Sequence, residues 1–138
     1  MHIIGNGVDI IKNSRINKSL KTKGFLNRIF TEKEIQQGNK LKNKINFYAK
    51  RFAAKEAFVK AIGTGFRSDI NFIDIEIKNY KNGKPYISLS KKLNYFLQKK
   101  FKIQKYKVFL SLSDEKDYSI AFVVIDKKKY EKNNNWKS

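Results

Sequence analysis

The stretch from Arg51 to Gly65, RFAAKEAFVKAIGTG, sets one carboxylate among several cations at helical spacing. Glu56 and Lys60 stand four residues apart and so share a helix face, and Arg51 and Lys55 form a second such pair. Ala53, Ala54, Ala57 and Ala61 let another backbone or a ligand come close. Gly63 and Gly65, on either side of Thr64, end the helix with positive φ or let the chain run beside a bound group. An acid flanked by bases on a small-residue helix suits a metal ion and phosphates. A solvated face with an ordinary Glu56–Lys60 pair explains this stretch alone equally well. A second carboxylate, Asp9, falls in a predicted strand from Ile3 to Ile11. There Ile4, Val8 and Ile10 share one face, and Gly5, Gly7, Asp9 and Ile11 the other. Beside two missing side chains, a carboxylate in an apolar strand needs a cation or a metal as partner. Capping of the following turn is the structural alternative.

Composition narrows the chemistry. The 138 residues, 41% of them apolar, suffice for one domain with a real core. No apolar run approaches the roughly 20 residues of a membrane helix, and no cationic, apolar leader opens the chain. The expected location is therefore cytoplasmic, with no membrane partner. There is no cysteine and a single histidine, His2, which excludes thiolate zinc sites and cysteine nucleophiles and disfavours histidine bases. Any metal must be held by oxygen, which favours magnesium. The net charge of +19 attracts an acidic protein, a nucleic acid, a nucleotide or an anionic surface without choosing among them. A chain with 27 Lys, 14 Asn and 17 Ile also has the composition that an A- and T-rich genome produces. The four arginines, Arg15, Arg28, Arg51 and Arg67, are more informative, because each offers a rigid fork for phosphate or carboxylate.

The elements that must position these residues are legible in outline. Ser14 caps a short basic helix that Gly24 ends, and Phe25, Leu26 and Ile29 read as core or interface. Thr31 and Glu34 have capping-box spacing for a second short helix ending near Gly38. After a polar connector, a long helix runs from about Lys44 to Ile62 and buries Ile45, Tyr48, Phe52 and Val59 along one stripe. Phe72 to Lys78 alternates as a strand with Ile73, Ile75 and Ile77 inward. Asn82-Gly83 makes a hairpin turn, and Pro85 heads the return strand. Ser90 caps a helix burying Leu93, Phe96 and Leu97. Lys105 to Ser113 sets Val108, Leu110 and Leu112 on one face and Phe109, Ser111 and Ser113 on the other, and Tyr118 to Ile125 returns after a turn. The predicted fold is α+β, an antiparallel sheet packed by one long helix, with a single domain over 1–126 and a polar tail over 127–138.

Three stretches together, Gly7-Val8-Asp9-Ile10 with Arg15, RFAAKEAFVKAIGTG, and NGKPYISLS followed by FLSLSDE, resemble the bacterial holo-acyl-carrier-protein synthases, small 4′-phosphopantetheinyl transferases. The resemblance runs from about Ile3 to Asp126. It implies magnesium-dependent transfer of 4′-phosphopantetheine from coenzyme A to a serine of apo acyl carrier protein, in fatty acid biosynthesis, releasing adenosine 3′,5′-bisphosphate. It makes Asp9 and Glu56 the metal ligands and brings Lys60 to the pyrophosphate, so that these three form the catalytic set. It brings Arg51 near the nucleotide's phosphates and sets Gly63, Gly65, Asn82, Gly83, Lys84 and Pro85 around the nucleotide. The serine proton goes either to Glu56 or to a metal-bound water near Asp9.

One position departs from the family. Phe109 stands where members often carry a histidine near the coenzyme phosphates, so that contact is missing or is supplied by Ser111, Ser113 or a lysine. Arg15, Lys18, Lys21, Lys23 and Arg28 are expected to form a docking face for an acidic carrier protein. The family also implies a homotrimer with active sites at subunit interfaces. A small basic nucleic-acid-binding protein is the rival reading; it explains the charge but not the motifs, and its cations are scattered over every element. An inactive trimeric scaffold is the third.

Overall fold

A computed structural model describes residues 2–67 and 69–128 of the chain. Its first strand, β1 (Ile3–Lys12), lies against a long helix, α4 (Lys44–Ala61), more closely than side chains would permit. A Cβ on Gly5 would stand 2.0 Å from the Ala61 carbonyl oxygen, and one on Gly7 2.0 Å from that of Ala57. The two glycines therefore admit the helix backbone at Ala57 and Ala61, which is the close approach of another backbone that these small residues allow.

Between them the chain forms α1 (Asn13–Leu20), α2 (Phe25–Ile29) and α3 (Glu32–Asn39). Ser14 lies inside α1 and does not cap it. Lys12 holds the cap position, and Asn13 turns inward, its amide donating to the carbonyls of Glu115 (3.0 Å) and Lys116 (3.1 Å) and its oxygen accepting from the Ser119 hydroxyl (2.7 Å). Gly24 likewise opens α2 and does not close α1. The Thr31–Glu34 capping box forms as expected.

After α4 a 3-10 turn (Phe72–Asp74) precedes β2 (Ile75–Asn79). The Asp74 carboxylate accepts from the Asn71 N–H and the Ser90 hydroxyl, so the strand begins later than alternation predicts and Ile73 points outward, 51% exposed. The hairpin turn leads into β3 (Pro85–Leu89), followed by α5 (Lys91–Phe101), β4 (Tyr106–Asp114) and β5 (Tyr118–Lys127). Ser90 caps α5, accepting from the Leu93 N–H at 3.1 Å. The tail expected from 127 begins within β5 and, from 129 onward, lies outside the described residues.

All strand pairs are antiparallel, but they form two sheets, β1-β5-β4 and β2-β3. The α+β expectation holds, with α4 packed on the three-stranded sheet. This helix is buried nearly all round, a difference from the single stripe predicted: Phe47, Ala49, Ala53, Phe58 and even Arg51 and Lys55 are inside. The three-stranded sheet covers one side of it, and α1, α3 and β2 pack against the rest.

The contact between β1 and α4 predicts that Gly7→Ala destabilises the protein by about 1–3 kcal/mol, since a backbone oxygen cannot rotate away. Asn6→Ala, one residue away on the exposed face, should be close to neutral. Denaturant unfolding of both variants is the check, and equal midpoints would contradict the packing.

Candidate active site

Alternation on β1 sends Asp9 to the α4 side of the sheet, on the face of Gly5, Gly7 and Ile11. On α4, Glu56 and Lys60 are four residues apart, and both turn toward β1. The Lys60 ammonium donates to Asp9 Oδ1 and to the Val8 carbonyl, each at 3.1 Å. Its side chain is 53% exposed and that of Asp9 is 16% exposed, so the cation straddles the mouth and the carboxylate lies just inside it. The cation that Asp9 requires is thus Lys60. Partial burial, followed by repulsion from Asp9, raises the Glu56 pKa from its ordinary 4.5, with Lys60 opposing. Two carboxylates and one mobile ammonium are therefore gathered where β1 crosses α4.

The helix ends as its glycines require. Gly63 (φ 77°) and Gly65 (φ 61°) both lie in the left-handed region, and a Cβ on either would meet open space. Their role is conformational; they turn the chain back so that the Gly65 N–H donates to the Val59 carbonyl at 3.3 Å.

Arg51 does not join this cluster. Arg51 is 4% exposed, and its guanidinium lies 3.7 Å over the Phe47 ring and donates through Nη2 to Asn79 Oδ1 (2.9 Å) and Gln37 Oε1 (3.4 Å). Burial lowers its pKa to about 10, against the favourable charges of Glu34 and Tyr48. Asn79 in turn donates to the Gly83 carbonyl at 2.9 Å, which ties Arg51 to the turn bearing Asn82, Gly83, Lys84 and Pro85. The arginine expected near phosphates is therefore built into the base of the hairpin. Cavities of about 310 Å³, beside Gln37 and Asn79, and about 370 Å³, between Tyr86, Lys91 and Lys107, flank this hairpin and reach neither Asp9 nor Glu56.

Ser111 and Phe109 are not brought to Asp9 in one chain. Asp9 pairs with Ala121, which pairs with Leu112, so these three share the helix side; Ser111 pairs with Phe122 and faces the other way. Lys107 stands over the Phe109 ring at 4.7 Å, which puts a lysine on this open face. Arg15, Lys18, Lys21, Lys23 and Arg28 are all exposed along α1, the following turn and α2, and no ion pair among the described residues engages them.

Sequence reasoning missed Asn79, the link between Arg51 and the turn, and the long-range partners of Glu34. Asn beside a turn carries no such signal, and a Glu at the third position of a capping box is already explained locally.

The likeness to known proteins is extensive. A family model described as the 4′-phosphopantetheinyl transferase superfamily matches residues 5–123. The holo-[acyl-carrier-protein] synthase of Pelagibacter ubique is 53% identical over 128 residues, covering 93% of this chain and all of the relative. A crystal structure of the synthase from Bacillus anthracis in complex with CoA (3′,5′-ADP) superposes with a TM-score of 0.77 at 38% identity, over 93% of this chain and 100% of that one. The synthase from Neisseria meningitidis gives a TM-score of 0.81, also at 38% identity, over 91% and 99%. Because the matched region takes in both carboxylates, the long helix and the hairpin, and relatives are matched over their whole length, this chain belongs to the 4′-phosphopantetheinyl transferase superfamily.

Proposed function

We propose that this chain is a cytoplasmic enzyme of fatty acid synthesis that transfers 4′-phosphopantetheine from coenzyme A to a serine of an apo acyl carrier protein. The observation that carries the reading is the meeting of Asp9, Glu56 and Lys60 where β1 crosses α4. The serine oxygen attacks the phosphorus bonded to pantetheine, the pyrophosphate P–O bond breaks, and adenosine 3′,5′-bisphosphate leaves. Such chemistry needs positioning and charge compensation more than covalent help. Lys60, exposed and held only at Asp9 and the Val8 carbonyl, has a free donor for a pyrophosphate oxygen. The serine proton goes either to Glu56 or to a water held near Asp9, both beside the attacked phosphorus.

The donor set fits magnesium. Asp9 and Glu56 offer hard carboxylate oxygens close enough that, after burial, the charge of Asp9 raises the Glu56 pKa, with Lys60 opposing. Among the described residues there is no cluster of three or more His, Cys, Asp or Glu side chains. A pair of carboxylates completed by substrate phosphate and water is how magnesium is commonly held. When bound, it neutralises charge on the pyrophosphate.

The turn at Asn82, Gly83, Lys84 and Pro85, braced by Arg51 through Asn79, takes the nucleotide end, with Gly63 and Gly65 bordering it. Lys107, over Phe109, supplies the phosphate contact for which other members use a histidine. The exposed cations Arg15, Lys18, Lys21, Lys23 and Arg28 receive the acidic carrier protein. The nucleic-acid reading explains the charge alone, whereas the matched family accounts for the motifs as well.

The active form is a homotrimer with sites at subunit boundaries. Supporting this is the open face of the three-stranded sheet, where Val8, Ile10, Phe109, Ile120 and Phe122 form a continuous apolar surface, each 38% to 59% exposed. In such an assembly Ser111 lies at a boundary between copies. Phe122→Lys should convert a trimer into monomers in sedimentation analysis; a parent protein that sediments as a monomer would refute the assembly.

Incubation with apo carrier protein, coenzyme A and magnesium should add one phosphopantetheine to the carrier by mass spectrometry. Asp9→Ala and Glu56→Ala should each abolish the gain. No added mass with the parent protein would overturn the function, and activity in either variant the metal assignment.

Glu56 also predicts a conflict between stability and activity. A carboxyl whose folded pKa is raised contributes stability that is complete below its ordinary pKa and is lost as pH rises through the raised value. Glu56→Gln should therefore raise the melting midpoint of magnesium-free protein at neutral pH. That gain should fade toward pH ~4, where glutamate is protonated in the unfolded chain as well. A less stable Glu56→Gln at neutral pH would contradict the assigned environment.

A further inference from the structure

Lys55 and Glu34 form an ion pair with side chains 0% and 1% exposed. Lys55 Nζ donates to Glu34 Oε1 at 2.6 Å and to the Ile29 carbonyl at 2.7 Å, and it lies 5.1 Å from the Phe30 ring. Glu34 Oε1 also accepts the Thr31 N–H at 3.0 Å, and Oε2 accepts the Ile77 N–H at 3.1 Å. The end of α2, the start of α3, the middle of α4 and the edge of β2 thus meet at one pair of charges. Burial lowers the Lys55 pKa, and the charge and hydrogen bond of Glu34 oppose it.

A buried pair of this kind is a poor device for stability alone, since well-packed apolar residues of similar volume serve as well or better. The capping box needs only one Glu34 oxygen. The second oxygen is aimed at Ile77, on the strand leading to the turn. Two residues further along β2, Asn79 is held by Arg51, one turn before Lys55 on α4. Four residues of helix rise about 6 Å and two of strand about 6.8 Å, so the two ties match in spacing.

We propose that Lys55 and Glu34 are positioning residues that clamp the β2–β3 hairpin in register on α4. They thereby fix where the turn at Asn82 to Pro85 stands on its own chain and so, in the assembly proposed above, its distance from the cluster of Glu56 and Lys60 on a neighbouring copy. The functional part of this inference rests on the transferase reading, in which one coenzyme must touch both ends. A loosened hairpin then weakens coenzyme A, which reaches both, and leaves inorganic pyrophosphate, which reaches only the cluster, bound as before.

The test uses Glu34→Gln/Lys55→Met, which removes both charges and strands neither. Amide hydrogen exchange at Tyr80, Gly83 and Lys84 should accelerate at least tenfold, with protection in β4 and β5 unchanged. The KM for coenzyme A should rise at least tenfold, while the inhibition constant of pyrophosphate stays within twofold and kcat within threefold. If the double variant shows no cooperative melt, Glu34→Gln alone carries the same predictions. Its amide nitrogen cannot accept, so either Ile77 or Thr31 loses a partner. Unchanged exchange at the turn overturns the clamp. Faster exchange with an unaltered coenzyme KM, or with pyrophosphate weakened in parallel, overturns its role in spanning. A parent protein without transfer activity removes the transferase reading, and the exchange measurement still decides the clamp.

Discussion

The close approach of the β1 backbone to the α4 backbone sets where everything else can stand. Gly5 lies at Ala61 and Gly7 at Ala57, so the strand advances two residues for each four of the helix, in the opposite direction. Two strand residues, about 6.8 Å, and four helical residues, about 6 Å, differ by less than about an ångström, which keeps the two in step. Asp9, two residues beyond Gly7 on the same face, comes within hydrogen-bond reach of Lys60 and within reach of the charge of Glu56. A side chain at Gly7 would lift the strand away and separate Asp9 from Glu56 and Lys60 together. The site depends on a packing distance before it depends on any charge.

On its other side α4 sets the same rhythm for a second strand. Ile77 is held through Glu34 at Lys55, and Asn79 directly at Arg51. One helix therefore gauges two strands, one bearing an acid of the cluster and the other leading to the hairpin turn. This explains why cations that look like a surface stripe in one dimension are divided in three. Lys60 faces outward at the strand crossing, whereas Arg51 and Lys55 are spent inside on holding the hairpin.

Much of this was legible in the sequence where the signal is local. The Thr31–Glu34 box, the Ser90 cap, the Asn82-Gly83 turn and the alternation of β4 all depend on neighbours within a few residues, and all formed as read. Glu56, Lys60 and Asp9 were legible as a set through the family motifs, and they do converge. What escaped depends on distant partners. Spacing of four makes Arg51 and Lys55 look like a solvated pair, because nothing near them in the chain announces Glu34 or Asn79. Ser14 offers a capping hydroxyl, yet Asn13 is drawn instead to the β4–β5 turn more than a hundred residues away. Ile73 continues an alternating pattern that the Asp74 hydrogen bonds cut short.

The two faces of the three-stranded sheet also divide the chemistry. Side chains opposite one another in antiparallel strands share a face, so Asp9, Ala121 and Leu112 look toward α4, and Val8, Phe122 and Ser111 look away. No rotamer carries Ser111 through the sheet to Asp9. A role for Ser111 or Lys107 in holding coenzyme phosphate therefore requires the open face of one copy to border the cluster of another. The apolar surface on that face gives copies a reason to associate, since leaving five large hydrophobic side chains in water is unfavourable. On the reading proposed above, assembly and completion of the coenzyme site would be one event.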